Sequence, residues 1–309
     1  MEQLMQMHGS ILMEGALGER MKREYGLAFD PHIAMAGLIY DERGRDALST
    51  LWLEYMHIAD TYQLPFLATT PTRRANRDRL HQAGMDEHVL YDNVHFLKEV
   101  RAQSSIEMYC GCLMGCHGDA YTGEGALDQK EAKRFHSWQA EVCCKAGADF
   151  LYAGIMPTLP EAVGMAEAMA LTGLPYIISF TITRDGRLID KSTIHHTIEA
   201  IDHQVSRKPL CYMANCVHPA IALEALMQPF NRTSLVRERF LGLQANTSPL
   251  TYAELDGTTD LHCAEPEAFA RDMLRLKAET GIKILGGCCG TDNRHMQAIA
   301  VLMQEASTQ

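Results

Sequence analysis

The chain of 309 residues is long enough for two ordinary domains or for one large α/β barrel. It is 47% hydrophobic and 22% charged, which is typical of a globular chain with a substantial core. The formal net charge of −11 argues against binding to nucleic acid or to an anionic membrane, since such proteins present a basic face. The sequence has neither an apolar run long enough for a membrane span nor the features of a secretory signal, so we expect a cytoplasmic protein.

Eight short β-prone runs recur along the chain, and most are almost continuously apolar, as in strands buried on both faces. In order they are SILMEG near 11, LPFLATT near 67, IEMYCGC near 109, DFLYAGI near 152, LPYIISFTIT near 178, PLCYMANC near 212, RFLGLQANT near 242 and IKILGGCC near 285. Helical patterns lie between them, for example DQKEAKRFHSWQAEVCCKAG and EPEAFARDMLRLKAETG. These two patterns end at Gly147 and Gly281, a common helix stop.

Eight strands that alternate with helices predict an α/β fold, a single (β/α)8 TIM barrel over residues 1–309. No linker, repeat or low-complexity segment indicates a second domain. A doubly wound sheet is the alternative, but no glycine-rich dinucleotide fingerprint follows the first strand. In a (β/α)8 barrel the chemistry lies at the rim where the strands end, so residues that directly follow strands are candidate site residues.

Three of the ten cysteines follow strands. Cys216 follows the sixth strand in MANCVHP, and Cys288 and Cys289 follow the eighth in ILGGCCGT. In a long, unsecreted chain we expect cysteines to be reduced and to bind metal, act in catalysis or pack as small buried side chains. For Cys143, Cys211 or Cys263 taken alone, burial is the simplest interpretation. The barrel would bring the thiol of Cys216 to the same rim as the thiols of Cys288 and Cys289, although Cys216 and Cys288 are 72 residues apart in the chain.

Three thiolates are a ligand set that suits zinc, and a catalytic zinc keeps a fourth position open. The flanking glycines, Gly286, Gly287 and Gly290, would permit the close approach that adjacent ligands require. We expect Thr291 to cap the next helix. Zinc held by three anionic sulfurs is a poor generator of hydroxide and is better suited to binding a substrate thiol as its thiolate.

The motif NC after the sixth strand, together with GGCCGT after the eighth, resembles the homocysteine S-methyltransferase family. The segments ILMEGALGERMKREYG (11–26) and LPYIISFTITRDGRLIDKST (174–193) are also similar to family segments, so the resemblance covers nearly the whole chain. It implies a zinc-binding (β/α)8 barrel that transfers a methyl group to a thiol. By position it implies that Cys216, Cys288 and Cys289 are the zinc ligands.

The expected substrate-binding part departs from the family. Gly154 stands where the family usually has a glutamate that helps to hold the ammonium group of homocysteine, and glycine has no carboxylate for this. Glu14 replaces the aspartate of the first strand. We expect Glu14 to reach the amino group of the acceptor or an onium donor, with a pairing to Arg20 or Arg23 as the alternative.

Two asparagines match rim positions of the family. We expect Asn215 to orient substrate or a loop and Asn246 to lie at the site, and simple turn chemistry is the alternative. His218 is either an extra ligand or a loop residue.

Two further segments carry alternatives. In CGCLMGCHGDAY, the group Cys110, Cys112, Cys116 and His117 has three interpretations: core packing in the barrel interior, an altered substrate pocket or a second metal site. The run PTRRANRDRL (71–80) carries four arginines and is either a solvated helix start or a site for an anionic donor or acceptor.

The sequence therefore predicts a zinc-dependent S-methyltransferase with a role in methionine biosynthesis. Its partners would be small molecules: a methyl donor, such as S-methylmethionine or a betaine-type compound, and a thiol, either homocysteine or a related one. One alternative is a catalytically silent family member that binds zinc or thiols. Another is an enzyme of the same fold that uses a non-amino-acid thiol and a corrinoid-protein donor. Donor, acceptor and oligomeric state are left open.

Overall fold

The computed structural model describes residues 1–250 and 264–307, and Cys263 lies outside these ranges. Eight strands form a closed barrel in which each strand pairs in parallel with the next and the last pairs with the first. The predicted (β/α)8 barrel is confirmed. Each strand falls on the apolar run that predicted it: β1 (Ile11–Met13), β2 (Phe66–Thr69), β3 (Met108–Gly115), β4 (Phe150–Met156), β5 (Tyr176–Phe180), β6 (Cys211–Val217), β7 (Phe240–Ala245) and β8 (Ile284–Gly287).

Helices connect the strands on the outside of the barrel. They are α1 (Glu2–Met7), α2 (Gly18–Tyr25), a 3-10 helix (Met35–Tyr40), α3 (Glu42–Thr61), α4 (Arg77–Gln82), α5 (His88–Arg101), α6 (Gln129–Lys145), α7 (Leu159–Ala170), α8 (Ile194–Gln204), α9 (Pro219–Leu226), α10 (Ser234–Arg239), α11 (Pro266–Thr280) and α12 (Asn293–Ser307). None of the helices in the described ranges has both the length and the apolar character needed to cross a bilayer.

Local signals set the helix ends. Gly281 ends α11 in the left-handed region, with φ of 82°, as its position predicted. The prediction that Thr291 caps α12 is wrong, because the carboxylate of Asp292 accepts the hydrogen bond from the backbone N–H of Arg294. The Thr291 hydroxyl instead accepts from the backbone N–H of Ala16 and donates to the Cys288 carbonyl, which ties the β8 loop to the β1 loop.

Side chains alternate between two cores along each strand. In β4, Tyr152 packs inside the barrel, whereas Leu151 packs between the barrel and its helices. Cys110 and Cys112 share one face of β3, as expected. That face, however, points outward against the helices, so the expectation of a barrel-interior position is wrong. At the end of the barrel where the strands begin, Leu4 of α1 is buried against the inner core.

Candidate metal centre

The sulfur atoms of Cys216, Cys288 and Cys289 lie within 4.8 Å of one another at the rim where β6 and β8 end. Within residues 1–250 and 264–307 no other group of three or more His, Cys, Asp or Glu side chains could hold a metal ion. Cys216 is buried, Cys288 is half-buried and Cys289 is exposed, so the cluster opens toward solvent. Three convergent thiols with one open side fit a zinc ion that carries a further ligand.

Two of these thiols are joined in the structure. Cys216 and Cys288 form a disulfide with Cα atoms 5.4 Å apart, and Cys112 forms a second disulfide with Cys143 on α6, with Cα atoms 6.0 Å apart. The expectation of reduced cysteines is therefore wrong for these two pairs, because the fold brings both within the distance that a disulfide spans. A metal requires deprotonated thiols, so the reduced form of Cys216 and Cys288 is the form that can bind it.

Irregularities in two strands aim side chains at the cluster. Cys216 has φ of 52° where the pairing of β6 with β7 shifts, and Ile155 has φ of 59° where the pairing of β4 with β5 shifts. Positive φ is uncommon outside glycine, and for a β-branched isoleucine it is a true outlier. Such bulges re-aim side chains next to active sites. Here Ile155 packs with Ala120 and Cys216 in a small apolar cluster, so the thiols have an apolar wall.

Asn215 holds the bulge at Ile155 in place through hydrogen bonds inside the barrel. Its amide oxygen accepts a hydrogen bond from the backbone N–H of Ile155 at 3.2 Å. Its amide nitrogen donates to the Tyr152 hydroxyl at 2.9 Å and to the side-chain oxygen of Gln244 at 2.6 Å. The Tyr152 hydroxyl in turn donates to Gln244 at 2.8 Å. The network links β4, β6 and β7, and it gives the Asn215 side chain a positioning role.

The glycines around the thiols allow backbone and side chains to approach closely, as expected. A Cβ on Gly290, which has φ of 82°, would lie 2.0 Å from the Thr247 hydroxyl oxygen. A Cβ on Gly287 would lie 2.3 Å from the hydroxyl oxygen of Thr291. The backbone N–H of Thr247 also donates to the Cys289 carbonyl at 3.2 Å. The loop after β8 therefore needs glycine at both positions.

Glu14 directly follows β1 and is only 3% exposed. One carboxylate oxygen accepts from the Thr69 backbone N–H at 3.0 Å and from its hydroxyl at 2.6 Å, and the other accepts from the Trp52 indole N–H at 2.7 Å. Burial raises the pKa of Glu14 to about 7, and these hydrogen bonds oppose the increase. Arg20 and Arg23 pair with other glutamates, so the alternative that they pair with Glu14 is wrong.

Three further rim residues are Gly154, Asn246 and His218. Gly154 lies just before the bulge in β4, where an added Cβ would meet the end of the Leu113 side chain at 2.8 Å. Asn246 is buried, and its side-chain oxygen accepts from the Ser248 backbone N–H at 2.8 Å, which is turn chemistry. His218 caps α9 by accepting from the Ala220 backbone N–H at 3.2 Å, so it is a loop and cap residue rather than an extra ligand.

The cysteines of β3 do not form a second metal site in the described chain. Cys112 is bonded to Cys143, and Cys110 points toward the Leu97 carbonyl on α5, so both belong to the outer core. Cys116 instead packs against the apolar cluster beside Cys216. Burial raises the pKa of Cys116 to about 12. The core-packing interpretation therefore applies to the first two, and Cys116 lies at the candidate site.

Sequence reasoning missed several residues of the site. Tyr152 and Gln244 are polar groups at inward-facing positions of otherwise apolar strands, and this pattern was the available signal. Ile155 and Ala120 gave no signal, because their place at the site depends on a bulge and on the path of the β3–α6 loop.

Comparison with known proteins agrees with this geometry. Residues 11–303 match the homocysteine S-methyltransferase family. Betaine–homocysteine S-methyltransferase 1 from Bos taurus is 28% identical over 189 residues, which are 56% of this chain and 44% of the relative, so the match spans less than half of that protein. The oxidised form of the homocysteine methyltransferase MmuM from Escherichia coli aligns with a TM-score of 0.77 and 18% identity, over 97% of this chain and 98% of that one.

The metallated form of MmuM also aligns with a TM-score of 0.77, at 16% identity, over 97% of this chain and 98% of that one. At such identities these two likenesses show the shared fold alone. The sequence match to the family, by contrast, extends from β1 into α12 and includes the whole barrel. The chain belongs to the homocysteine S-methyltransferase family.

Proposed function

We propose that the protein is a zinc-dependent S-methyltransferase. It moves a methyl group from a small donor, such as S-methylmethionine or a betaine-type compound, to homocysteine or a related thiol. The observation that supports this proposal is the convergence of three cysteine sulfurs within 4.8 Å at the catalytic rim of the barrel. With homocysteine as acceptor, the reaction would serve methionine biosynthesis.

In this proposal Cys216, Cys288 and Cys289 hold the zinc. The ion supplies a positive charge that keeps an acceptor thiol deprotonated and nucleophilic. The exposed side of Cys289 leaves room for a small thiol to enter, and the apolar wall of Ile155 and Ala120 excludes water from the sulfurs.

The four residues expected to bind substrate have different roles in this proposal. Glu14 is the group that would face the positive charge of an onium donor, because an approaching positive charge favours the ionised form of its carboxyl group. Asn215 and Asn246 shape the floor of the site through bonds to the backbone. Gly154 has no side chain, so the carboxylate that the family usually has at this position is missing.

Metal analysis of the reduced protein, combined with a methyl-transfer screen of several thiols against several donors, tests the proposal. Cys288→Ser removes a proposed ligand, and Cys144→Ser is the matched control because its free thiol points toward the Thr172 carbonyl, away from the cluster. We expect one zinc per chain and a methylated thiol in the wild type and the control, and loss of both in Cys288→Ser.

Other outcomes would contradict the proposal in distinct ways. Absence of zinc under reducing conditions would contradict the metal centre. Zinc without transfer from any small donor would favour the silent family member, and transfer only from a methylated corrinoid protein would favour the corrinoid-dependent alternative.

A further inference from the structure

The loop after β2 and the start of α4 carry four arginines, and none of them forms an ion pair with a residue in the described ranges: Arg73, Arg74, Arg77 and Arg79. The guanidinium of Arg77 lies over the Trp138 ring, 4.9 Å from its centre. Elsewhere in the chain, arginines such as Arg101 and Arg239 bond directly to carboxylates. The Arg74 Nε atom is buried and has no hydrogen-bond partner. Burial and the charges of Arg79 and Arg73 lower the pKa of Arg74. The positive charges of these arginines are therefore not neutralised by ion pairs within the described ranges.

The backbone that carries these arginines is fixed to β3. The Thr72 hydroxyl bonds to the Thr70 hydroxyl at 2.7 Å and donates to the Leu113 carbonyl at 2.8 Å. The Leu113 backbone N–H donates back to the Thr70 hydroxyl at 3.2 Å. The arginines thus extend from a loop whose backbone is held against β3.

This loop lies beside the three thiols. A Cβ on Gly115, the last residue of β3, would be 2.7 Å from both the carbonyl oxygen and Cγ of Arg73. The next residue, Cys116, packs against Cys216 in the apolar cluster.

The carboxylates around the same opening are already engaged. Glu19 accepts from the Gly290 backbone N–H and pairs with Arg23 at 3.4 Å. Glu14 is occupied by Thr69 and Trp52, as described above. The site therefore combines unpaired cations with neutralised or hydrogen-bonded anions, and this distribution attracts a negatively charged group.

Asp119 is another acid near the opening. Its carboxylate accepts from the backbone N–H groups of Tyr121 and Thr122, each at 2.8 Å. These hydrogen bonds lower the pKa of Asp119, with a smaller contribution from the charge of Arg73. Among the described residues Asp119 forms no ion pair with Arg73 or Arg74.

We propose that Arg73 and Arg74 form an anion subsite for a carboxylate or sulfonate of the acceptor thiol, and that the preferred acceptor has no free ammonium group. This inference rests on the proposed function, since it places the acceptor sulfur at the three-cysteine cluster. It agrees with Gly154, which removes the carboxylate that would hold an ammonium. Arginine suits the task because its fork of N–H donors matches two oxygens of one anion.

The test measures binding of matched thiols to the reduced, zinc-loaded protein by titration calorimetry. The probes are 3-mercaptopropionate, 2-mercaptoethanesulfonate, neutral 3-mercapto-1-propanol, cationic 2-mercaptoethylamine and homocysteine. We expect the two anionic thiols to bind at least about tenfold more tightly than the neutral one, and the cationic thiol to bind most weakly. Higher salt should reduce the advantage of the anionic thiols in the wild type, a result that needs no variant.

Arg73→Gln and Arg74→Gln should each remove most of this advantage while leaving binding of the neutral thiol unchanged. Arg237→Gln, an exposed arginine on α10, is the matched control and should keep the preference. Equal affinities for anionic and neutral thiols in the wild type, or tightest binding of the cationic thiol, would overturn the subsite. A preference that persists in both variants would overturn its assignment to these arginines.

Methyl-transfer kinetics separate this inference from the proposed function. If the arginines hold a donor carboxylate instead, the variants will raise the donor KM and leave thiol affinities unchanged, which overturns the inference but not the methyl transfer. Selective binding of anionic thiols without transfer from any donor would contradict the proposed function and leave the subsite standing.

Discussion

The amide oxygen of Asn215 accepts a hydrogen bond from the backbone N–H of Ile155 at 3.2 Å. The residue before the bulge in β6 therefore holds the bulge in β4, two strands away, in place. Both Ile155 and Cys216 have positive φ, a costly conformation for side chains other than glycine. One buried amide therefore couples the position of a metal-ligand candidate to that of the apolar wall beside it.

Replacing Asn215 with alanine should weaken both stability and metal binding. Loss of the amide leaves the buried backbone N–H of Ile155 without its acceptor and removes a donor from the Tyr152–Gln244 pair, which lowers the free energy of unfolding by about 1–3 kcal/mol. Zinc affinity should fall by roughly tenfold or more, as for other residues that orient ligands. Urea unfolding and zinc competition with a chromogenic chelator measure the two effects.

Asn231→Ala is the matched control for this change. Asn231 is also buried and donates to two carbonyls, of Gly186 and Ala225, but it lies away from the thiols. We expect a similar loss of stability with unchanged zinc affinity. Equal zinc affinity in both variants would show that Asn215 has only a structural role.

A methyl group at Gly290 should disrupt the cysteine loop. Gly290→Ala places a Cβ 2.0 Å from the Thr247 hydroxyl oxygen, at a backbone φ of 82°. Gly281 has the same φ with no atom within 4 Å of its would-be Cβ, so Gly281→Ala isolates the cost of the conformation, about 1–2 kcal/mol. We expect a larger loss of stability and a loss of zinc only in Gly290→Ala, measured by thermal unfolding and metal analysis. Equal effects of the two substitutions would contradict the steric argument.

The raised pKa of Glu14 should make stability depend on pH. An ordinary glutamate pKa of 4.5 rises to about 7 in the folded protein, so the folded state retains a proton that the unfolded state has lost. The contribution is fully present below pH 4.5 and is lost as the pH rises toward 7, a change of at most roughly 3 kcal/mol. Glu14→Gln carries no such proton. The difference in free energy of unfolding between wild type and variant should therefore change across this interval, and parallel curves would contradict the burial of an ionisable Glu14.

Restoring a carboxylate on β4 should change the preferred thiol. In Gly154→Glu the new Cβ would meet the end of the Leu113 side chain at 2.8 Å, so that flexible side chain has to move. Its charge would favour an ammonium group, so kcat/KM for homocysteine should rise about tenfold relative to 3-mercaptopropionate. Gly154→Ala controls for the added bulk. The same ratio in both variants, with folding and zinc retained, would show that another group sets acceptor specificity.

Local patterns carried much of the fold and the thiol centre. Runs of apolar residues predicted all eight strands, because a strand covered on both faces needs apolar residues at every position. Gly281 in a left-handed helix stop also followed from local backbone rules. The prediction that Thr291 caps α12 failed, because its hydroxyl bonds to the backbone of Ala16 and Cys288. The Asp292 side chain caps the helix instead.

By itself, the sequence determined the barrel and the approach of Cys216 to Cys288 and Cys289, because strand order fixes which loops share a rim. Only the tertiary structure decided which way the bulges turn Cys216 and Ile155, and that Cys110 and Cys112 face the helices. It also decided that Glu14 is held by Trp52 and that Arg73 lies against Gly115 at the end of β3, next to Cys116. These features depend on contacts between residues far apart in the chain, and no local pattern encodes the pairing of such distant groups.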